Sequence, residues 1–296
     1  MNDSHSDKKA LEFFKKHKRK LFGFGILVIF FVLSLLSHMT YDIFKSDLSE
    51  DSLLSDSDNT AEDQNCSATG INLHGTLLTY IPNHAENDSL IDYDVVSSED
   101  IVWTVKQANE DPNIKAVLIE VDSGGGSPVA GEEISNAIKN SEKPVVAFIR
   151  ELGASSSYWA ISSADKIFAS KNSNVGGIGI TSSYLSNIEK NRKDGYTYEQ
   201  LSAGKYKDAG SPDKPLTQEE KALFIRDINI VYENFIEDIS QNRKIPLEKV
   251  KGFADGSTVL GEKAKSLGLI DQVGSLNEAE NYLEEIIGEK PETCWQ

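Results

Sequence analysis

Three consecutive serines, Ser155, Ser156 and Ser157, stand between Ala154 and the aromatic pair Tyr158 and Trp159. Serine runs usually belong to linkers, but the apolar residues that follow place this one inside a folded unit. A serine at a helix start can attack a carbonyl when three parts meet: the hydroxyl, a base within reach, and backbone amides aimed at the developing oxyanion. Bases are scarce here. Of the five histidines, His5 and His17 fall in a basic N-terminal stretch and His38 borders an apolar one, which leaves His74 and His84, neither in a recognisable motif. A Ser-His-Asp triad assembled in space stays open, with few candidates to fill it.

Lysine is the alternative base, because burial disfavours the charged ammonium. The segment LSAGKYKDAGSPDKPLT, residues 201–217, carries Lys205 and Lys207 on either side of Tyr206. By itself it reads first as a solvated basic loop. The segment EVDSGGGSP, residues 120–128, offers the amides: an apolar run enters the glycines Gly124, Gly125 and Gly126 and then a helix start. A phosphate loop competes for that pattern, but the lysine-serine ending of a Walker motif is missing. There is no His-Glu-x-x-His pair and no Cys/His cluster, so neither a metal nor another cofactor is called for.

The elements around these residues alternate. AVLIEVDS (116–123) and PVVAFIR (144–150) are β-branched runs, and SPVAGEEISNAIKNS between them is a helix with Ser127 as cap and Pro128 in its first turn. CSATGINLHGTLL opens the folded part as a strand. A helix over 97–111 precedes the second strand, and DKIFAS and NVGGIGI supply further short strands. Strand, helix and strand in this order imply an α/β fold with a largely parallel sheet. From Thr217 a capping box with Glu220 opens a long helix with Phe224, Ile228, Val231, Phe235 and Ile239 at helical spacing. That stripe is most simply core packing, and packing against another subunit is the alternative.

Charge divides the chain. Its net charge is −17, yet Lys8, Lys9, Lys15, Lys16, Lys18, Arg19 and Lys20 crowd its start, so the acidic excess lies beyond them. A body this acidic repels phosphate backbones, which argues against nucleic acid as partner. Residues 21–37 hold no charged side chain, enough for a membrane span near the short end of the usual range, with the N-terminus cytoplasmic and the rest outside. A cleaved secretory signal is the alternative, although no Ala-x-Ala site follows. The expected organisation is a basic cytoplasmic tail (1–20), a transmembrane anchor (21–38), an acidic tether (39–65) and a folded domain (66–296). Cys66 and Cys294 lie at the two ends of that domain. Two unpaired thiols are the plainer reading, and a disulfide stapling the ends is the other.

Taken together, DSGGGSPVAGEEI, GASSSYWAISSADKIFA, VGGIGI, GKYKDAGSPDKPLTQEE and GSTVLGEKAKSLGLIDQVGSLNEA resemble, in this order, the segments of the signal peptide peptidase A family. These are membrane-anchored serine proteases of the Ser-Lys type. The resemblance runs from about residue 71 to 282. It implies a β-α-β superhelix similar to that of ClpP and the crotonases, preceded by one transmembrane helix. Aligned on Tyr158, Ser155 matches the nucleophile, and Lys207, ahead of DAGSP, matches the general base. The amides of Gly126 and Ser156, with Gly125 as a further donor, match the oxyanion hole. Gly124 stands where the family usually has proline, Gly177 where it often has serine, and Ser156 and Ser157 where it has glycines.

The implied activity is cleavage of signal-peptide remnants and related membrane-derived peptides, without metal or cofactor, by a homo-oligomeric ring in which one protomer's serine can meet its neighbour's lysine. Localisation is then the cytoplasmic membrane, with the catalytic domain periplasmic or extracellular. A protease acting on intact membrane proteins would use the same residues, and the substituted glycines also suit an inactive peptide-binding ring. A crotonase acting on coenzyme A thioesters would find no substrate outside the cell.

Overall fold

Runs of apolar, β-branched residues suit strands covered on both faces, and β-strands of this kind, at 116–121 and 145–149, form the centre of this protein. The computed structural model describes residues 66–81 and 94–296. From its start the chain forms β1 (Ala68–Leu78), β2 (Val95–Ser97), α1 (Ser98–Glu110), β3 (Ala116–Gly126), α2 (Pro128–Lys139), β4 (Val145–Ala154), α3 (Ser156–Ile161), β5 (Lys166–Ala169) and β6 (Asn174–Gly176). It continues through α4 (Ile188–Lys193), α5 (Gln218–Asn242), α6 (Leu247–Lys251), β7 (Thr258–Leu260), α7 (Gly261–Leu267), β8 (Gln272–Val273), α8 (Leu276–Ile287) and β9 (Thr293–Trp295).

The main sheet has the order β2-β1-β3-β4-β5-β8, with every neighbouring pair parallel. The mixed α/β class with a largely parallel sheet is therefore as the sequence implies. Alternation along the strands assigns their two faces. Val117, Ile119 and Val121 of β3 and Val145, Ala147 and Ile149 of β4 point into the larger core, shared with α1, α2, α3 and α5. Ala116, Leu118, Val146 and Phe148 point the other way, onto Ala279 and Leu283 of α8.

β4 changes partner along its length. Val146–Ile149 pair with β5, whereas Leu152, Gly153 and Ala154 pair with β6, which in turn pairs antiparallel with β7. The strand thus leaves one layer and ends in another. α3 follows its last residue and is fixed from behind: the Trp159 ring stacks on Phe235 at 4.5 Å, its indole N–H donates to Asp238 at 2.8 Å, and the buried Tyr158 hydroxyl donates to Leu269 O at 2.7 Å.

Several sequence expectations need adjustment. β3 does not stop before the glycines but runs through them to Gly126, because Thr76 and Leu77 of β1 continue the pairing. NVGGIGI is a strand only over Asn174–Gly176, since Gly176 and Gly177 turn to φ 101° and 57°. The capping box of α5 is present as read. Its apolar stripe is core only in the second half: Phe235 and Ile239 are buried, but Phe224 is exposed. The expected anchor at 21–38 lies outside the described residues, and no helix among those described is long and apolar enough to cross a membrane.

The plainer reading of the cysteines is corrected as well. Cys66 and Cys294 form a disulfide across 228 residues of sequence, made possible by β9 lying parallel to the first residues of β1. No free cysteine remains among the described residues. Closing so long a loop removes much denatured-state entropy, so replacing both cysteines by serine is expected to cost about 2–4 kcal/mol. For a domain of this size that is a fall of roughly 5–15 °C in Tm, measurable by calorimetry with and without reductant. An unchanged midpoint would show that the paired β9 holds the ends together unaided.

Candidate active site

The end of β4 carries an unusual backbone. Ser155 has φ 56° and ψ −131°, a region an L-residue rarely enters. Three contacts hold it there. Its N–H donates to Gly176 O at 2.8 Å, its carbonyl accepts from Trp159 N–H at 3.0 Å to open α3, and its neighbours are tied down by Ser157. The Ser157 hydroxyl accepts from Ala154 N–H at 3.0 Å and lies 2.7 Å from Ser123 O, joining the turn to β3. Ser157 is thus a brace. Ser156 is different: its hydroxyl is buried and has no hydrogen-bond partner. Ser155 alone of the three is only partly buried.

The glycines are where the backbone crowds this turn. A methyl on Gly125, itself at φ 93°, would lie 2.9 Å from both Ser155 Cβ and Ser156 N, and one on Gly126 would lie 2.1 Å from Leu77 O. A methyl on Gly131, inside α2, would meet Ser156 O at 2.6 Å, and one on Gly177 would lie 3.2 Å from Ser155 N. The amides can be told apart. Gly125 N–H is engaged by Ser123 Oγ at 3.1 Å, so Gly125 is a poor oxyanion donor. Ser127 N–H donates to Leu77 O, and alternation along β3 therefore turns Gly126 N–H to the opposite side. Ser156 N–H lies in the first turn of α3, where helical amides have no intrahelical partner. Gly126 and Ser156 remain as the available donors.

The lysine loop is a separate structure. The Lys214 ammonium and the Thr217 amide hold the Glu220 carboxyl below the usual carboxylate range, and so fasten the loop to the start of α5. Tyr184 and Asn191 bind its other flank, through Lys214 O and the Asp213 carboxylate. Lys205 and Lys207 then separate clearly. Lys205 pairs with Glu219 at 2.7 Å and sits over the Tyr206 ring, and the Glu219 hydrogen bond pushes its pKa up to about 12. Lys207 is exposed and makes no side-chain hydrogen bond or ion pair with any described residue, Ser155 included. Beside it, one carboxylate oxygen of Asp208 is buried without a partner. The structure therefore brings Ser155, Ser156, Gly125 and Gly126 together, and Lys207 makes no hydrogen bond to any of them. Around the loop, Leu185 and Leu201 are 83% and 89% exposed.

Sequence reasoning missed Ser123 and Gly131 as parts of this turn, and noted Ser157 and Gly177 only as substitutions within the family pattern. Gly131 left a signal, because a glycine inside a helix is unfavourable unless something approaches closely. Among the described residues there is no group of three His, Cys, Asp or Glu side chains able to hold a metal.

A serine on a strained strand-to-helix turn, facing glycine backbone, defines a class of serine hydrolase sites. Residues 137–288, which include Ser155 and Lys207, match peptidase family S49, and the chain belongs to that family. A putative protease of Methanocaldococcus jannaschii is 36% identical over 179 residues, covering 60% of this chain and 58% of its own. A putative signal peptide peptidase SppA of Enterococcus faecium is 30% identical over 184 residues, covering 61% and 54%. The chain thus spans little more than half the length of these relatives. A ClpP1 mutant of Listeria monocytogenes superposes with a TM-score of 0.48 at 14% identity, over 74% of this chain and 98% of its own.

The neighbouring serines should respond oppositely to truncation. Ser157→Ala leaves Ala154 N–H without its acceptor in a buried site and is expected to cost about 1–3 kcal/mol. Ser156→Ala removes a hydroxyl that is already unsatisfied and is expected to be neutral or stabilising by up to about 1 kcal/mol. Urea denaturation of both variants checks this, and equal losses would refute the distinction.

Proposed function

We propose that this protein is a membrane-anchored serine endopeptidase with Ser155 as nucleophile and Lys207 as general base, acting on cleaved signal peptides and related membrane-derived peptides. The observation that carries the reading is the left-handed Ser155, seated on Gly125 with the amides of Gly126 and Ser156 beside it. Lys207 accepts the Ser155 proton as the oxygen attacks a peptide carbonyl. The two amides stabilise the oxyanion, and the collapsing intermediate expels the amine, which takes the proton from the lysine. Water, deprotonated by the same lysine, then hydrolyses the acyl-enzyme. Of the two lysines, only Lys207 is free for this, because Glu219 holds Lys205 in its charged form.

On this reading the fold is the ClpP/crotonase superhelix, and the site is completed by a second copy in a ring. The exposure of Leu185, Leu201, Phe224 and Ile230 around the lysine loop supports such an interface, and a lysine exposed on one chain gains the burial a base needs when a neighbour covers it. The charge pattern of residues 8–38 supports an anchor with a cytoplasmic N-terminus. The Cys66–Cys294 disulfide supports a periplasmic or extracellular domain.

Hydrolysis of a fluorogenic peptide with a small aliphatic residue before the cut tests the assignment. Ser155→Ala and Lys207→Ala are each expected to lower turnover by roughly three orders of magnitude or more, while Lys205→Ala and Ser156→Ala retain it. If serine and lysine come from adjacent protomers, co-refolding the two inactive variants should restore roughly a quarter of wild-type turnover by random mixing in a head-to-tail ring. Full activity in Ser155→Ala would refute the nucleophile. An inert wild type across a broad peptide library would favour a peptide-binding ring. Absence of complementation would place both residues of each site in one chain.

A further inference from the structure

The strongest charge anomaly in this acidic protein is a groove near the Ser155 turn. It lies between the C-terminal end of α5, α6, β7 and α7, with a volume of about 930 Å³. Lys244, Lys249, Lys263 and Lys265 line it, all four exposed and none with an ion-pair partner among the described residues. The other charges on the walls are engaged. Arg243 holds Asp271 at 2.9 Å and donates to Gly268 O at 3.2 Å. Asp255, the one acid among the described lining residues, accepts from the N–H and the hydroxyl of Ser257. Lys244 occupies a left-handed backbone position, φ 54°, where a helix end usually has glycine. Apolar side chains share the walls: Phe253, Val259 and Leu267 are each only partly buried.

Four like charges gathered in one groove, on a chain of net charge −17, attract anions. Charge alone would serve for a small inorganic ion, but the apolar side chains suit an anion with hydrocarbon beside it. The C-terminus of a peptide is such a group, a carboxylate one carbon away from the last side chain. Ser155 N–H donates to Gly176 O, and Gly177 N–H donates to Ser257 O at 3.1 Å, so the wall carrying Ser257 and Val259 stands two strand spacings from the nucleophile. That is about 10 Å, which an extended peptide covers in about three residues. We propose that this groove holds the C-terminal carboxylate of a peptide substrate, with its last apolar side chain against Phe253, Val259 and Leu267, resting on the peptidase reading given above. A cleaved signal peptide carries a free carboxylate at the end made by the earlier cut, whereas an uncut membrane protein has none near the bond to be broken. The groove therefore selects the products of a prior proteolytic step, and the cut falls about three residues or more before their end.

The test uses the full chain in detergent micelles and an N-terminally labelled octapeptide of alanine and leucine, made with a free C-terminus or as its amide. Fluorescence anisotropy with the Ser155→Ala chain reads binding without cleavage. The free acid is expected to bind roughly fivefold or more tighter than the amide. The ratio should fall to one as salt approaches 1 M, where the screening length shrinks to about 3 Å. The triple variant Lys249→Gln, Lys263→Gln, Lys265→Gln should also bring the ratio to one, while Lys106→Gln, Lys193→Gln, Lys290→Gln, equal in charge, should keep it. With the wild type the difference should appear in KM and not in kcat. Equal binding of acid and amide overturns the proposal. So does an amide with an internal glutamate that binds as well as the free acid, which would make this a site for acidic side chains. The peptidase reading is scored separately. A wild type that cleaves neither form while the acid preference persists refutes that reading and upholds the groove, and cleavage of both forms with equal affinity does the reverse.

Discussion

One residue of β4 must take a backbone conformation that L-amino acids avoid, and much of the molecule is arranged so that it can. A serine at φ 56° relaxes unless its surroundings over-determine it. Here β6 accepts its amide, α3 takes its carbonyl, and the Ser157 hydroxyl ties the preceding residue to β3. Each contact needs an element that arrives from elsewhere. β6 can reach the turn only because β4 gives up β5 halfway along its length. α3 can begin there because Trp159 and Tyr158 anchor it to α5 and to Leu269. The glycines at 125 and 131 follow from the same crowding, being points at which the backbone of the turn comes closer than a Cβ permits, while Gly126 is crowded by Leu77 of β1 and Gly177 is tight against Ser155 N.

The turn is complete within one chain, and its proposed base makes no hydrogen bond to it. Turn and lysine loop are held by different elements: the first by the sheet, the second, over residues 213–220, by Tyr184, Asn191 and the Lys214–Glu220 pair at the head of α5. α5 itself joins the two regions, buried at Phe235 and Ile239 and exposed at Phe224 and Ile230. A helix that is core at one end and bare at the other has half of its apolar stripe left for something outside the chain. That division agrees with the proposed ring and accounts for an exposed Lys207 beside a buried, unpartnered Asp208 oxygen.

Local signals carried much of this into the sequence. The β-branched runs at 116–123 and 144–150, Ser127 with Pro128, and the Thr217–Glu220 box act within a few residues, and each marks an element that forms. Features set by distant partners were not legible. Periodicity cannot say that β1 extends β3 through three glycines, that β9 returns to bring Cys294 to Cys66, or that β4 changes neighbours. Nor does a run of three serines reveal its own division of labour. Resemblance pointed to Ser155, but that Ser157 braces the turn and Ser156 does not depends on Ser123 and Gly131, more than twenty residues away. Glu219, which separates Lys205 from Lys207, stands more than ten residues further along the chain, and nothing in the spacing says which of the two lysines it meets.

The substituted glycines can be weighed on the same physical terms. Glycines after a strained residue minimise bulk but give it nothing to lean on, and they raise the entropy lost on folding. Ser157 supplies a buried hydroxyl that satisfies Ala154 N–H and reaches Ser123 O, so the extra atoms hold the turn rather than obstruct it. Ser156 contributes no such bond, and its side chain is tolerated because Gly131 on α2 leaves room. The two replacements are therefore coupled to different partners, one to β3 and one to α2. A turn rebuilt in this way keeps the Ser155 conformation and both available amides, and hence everything that the proposed chemistry asks of this side of the site.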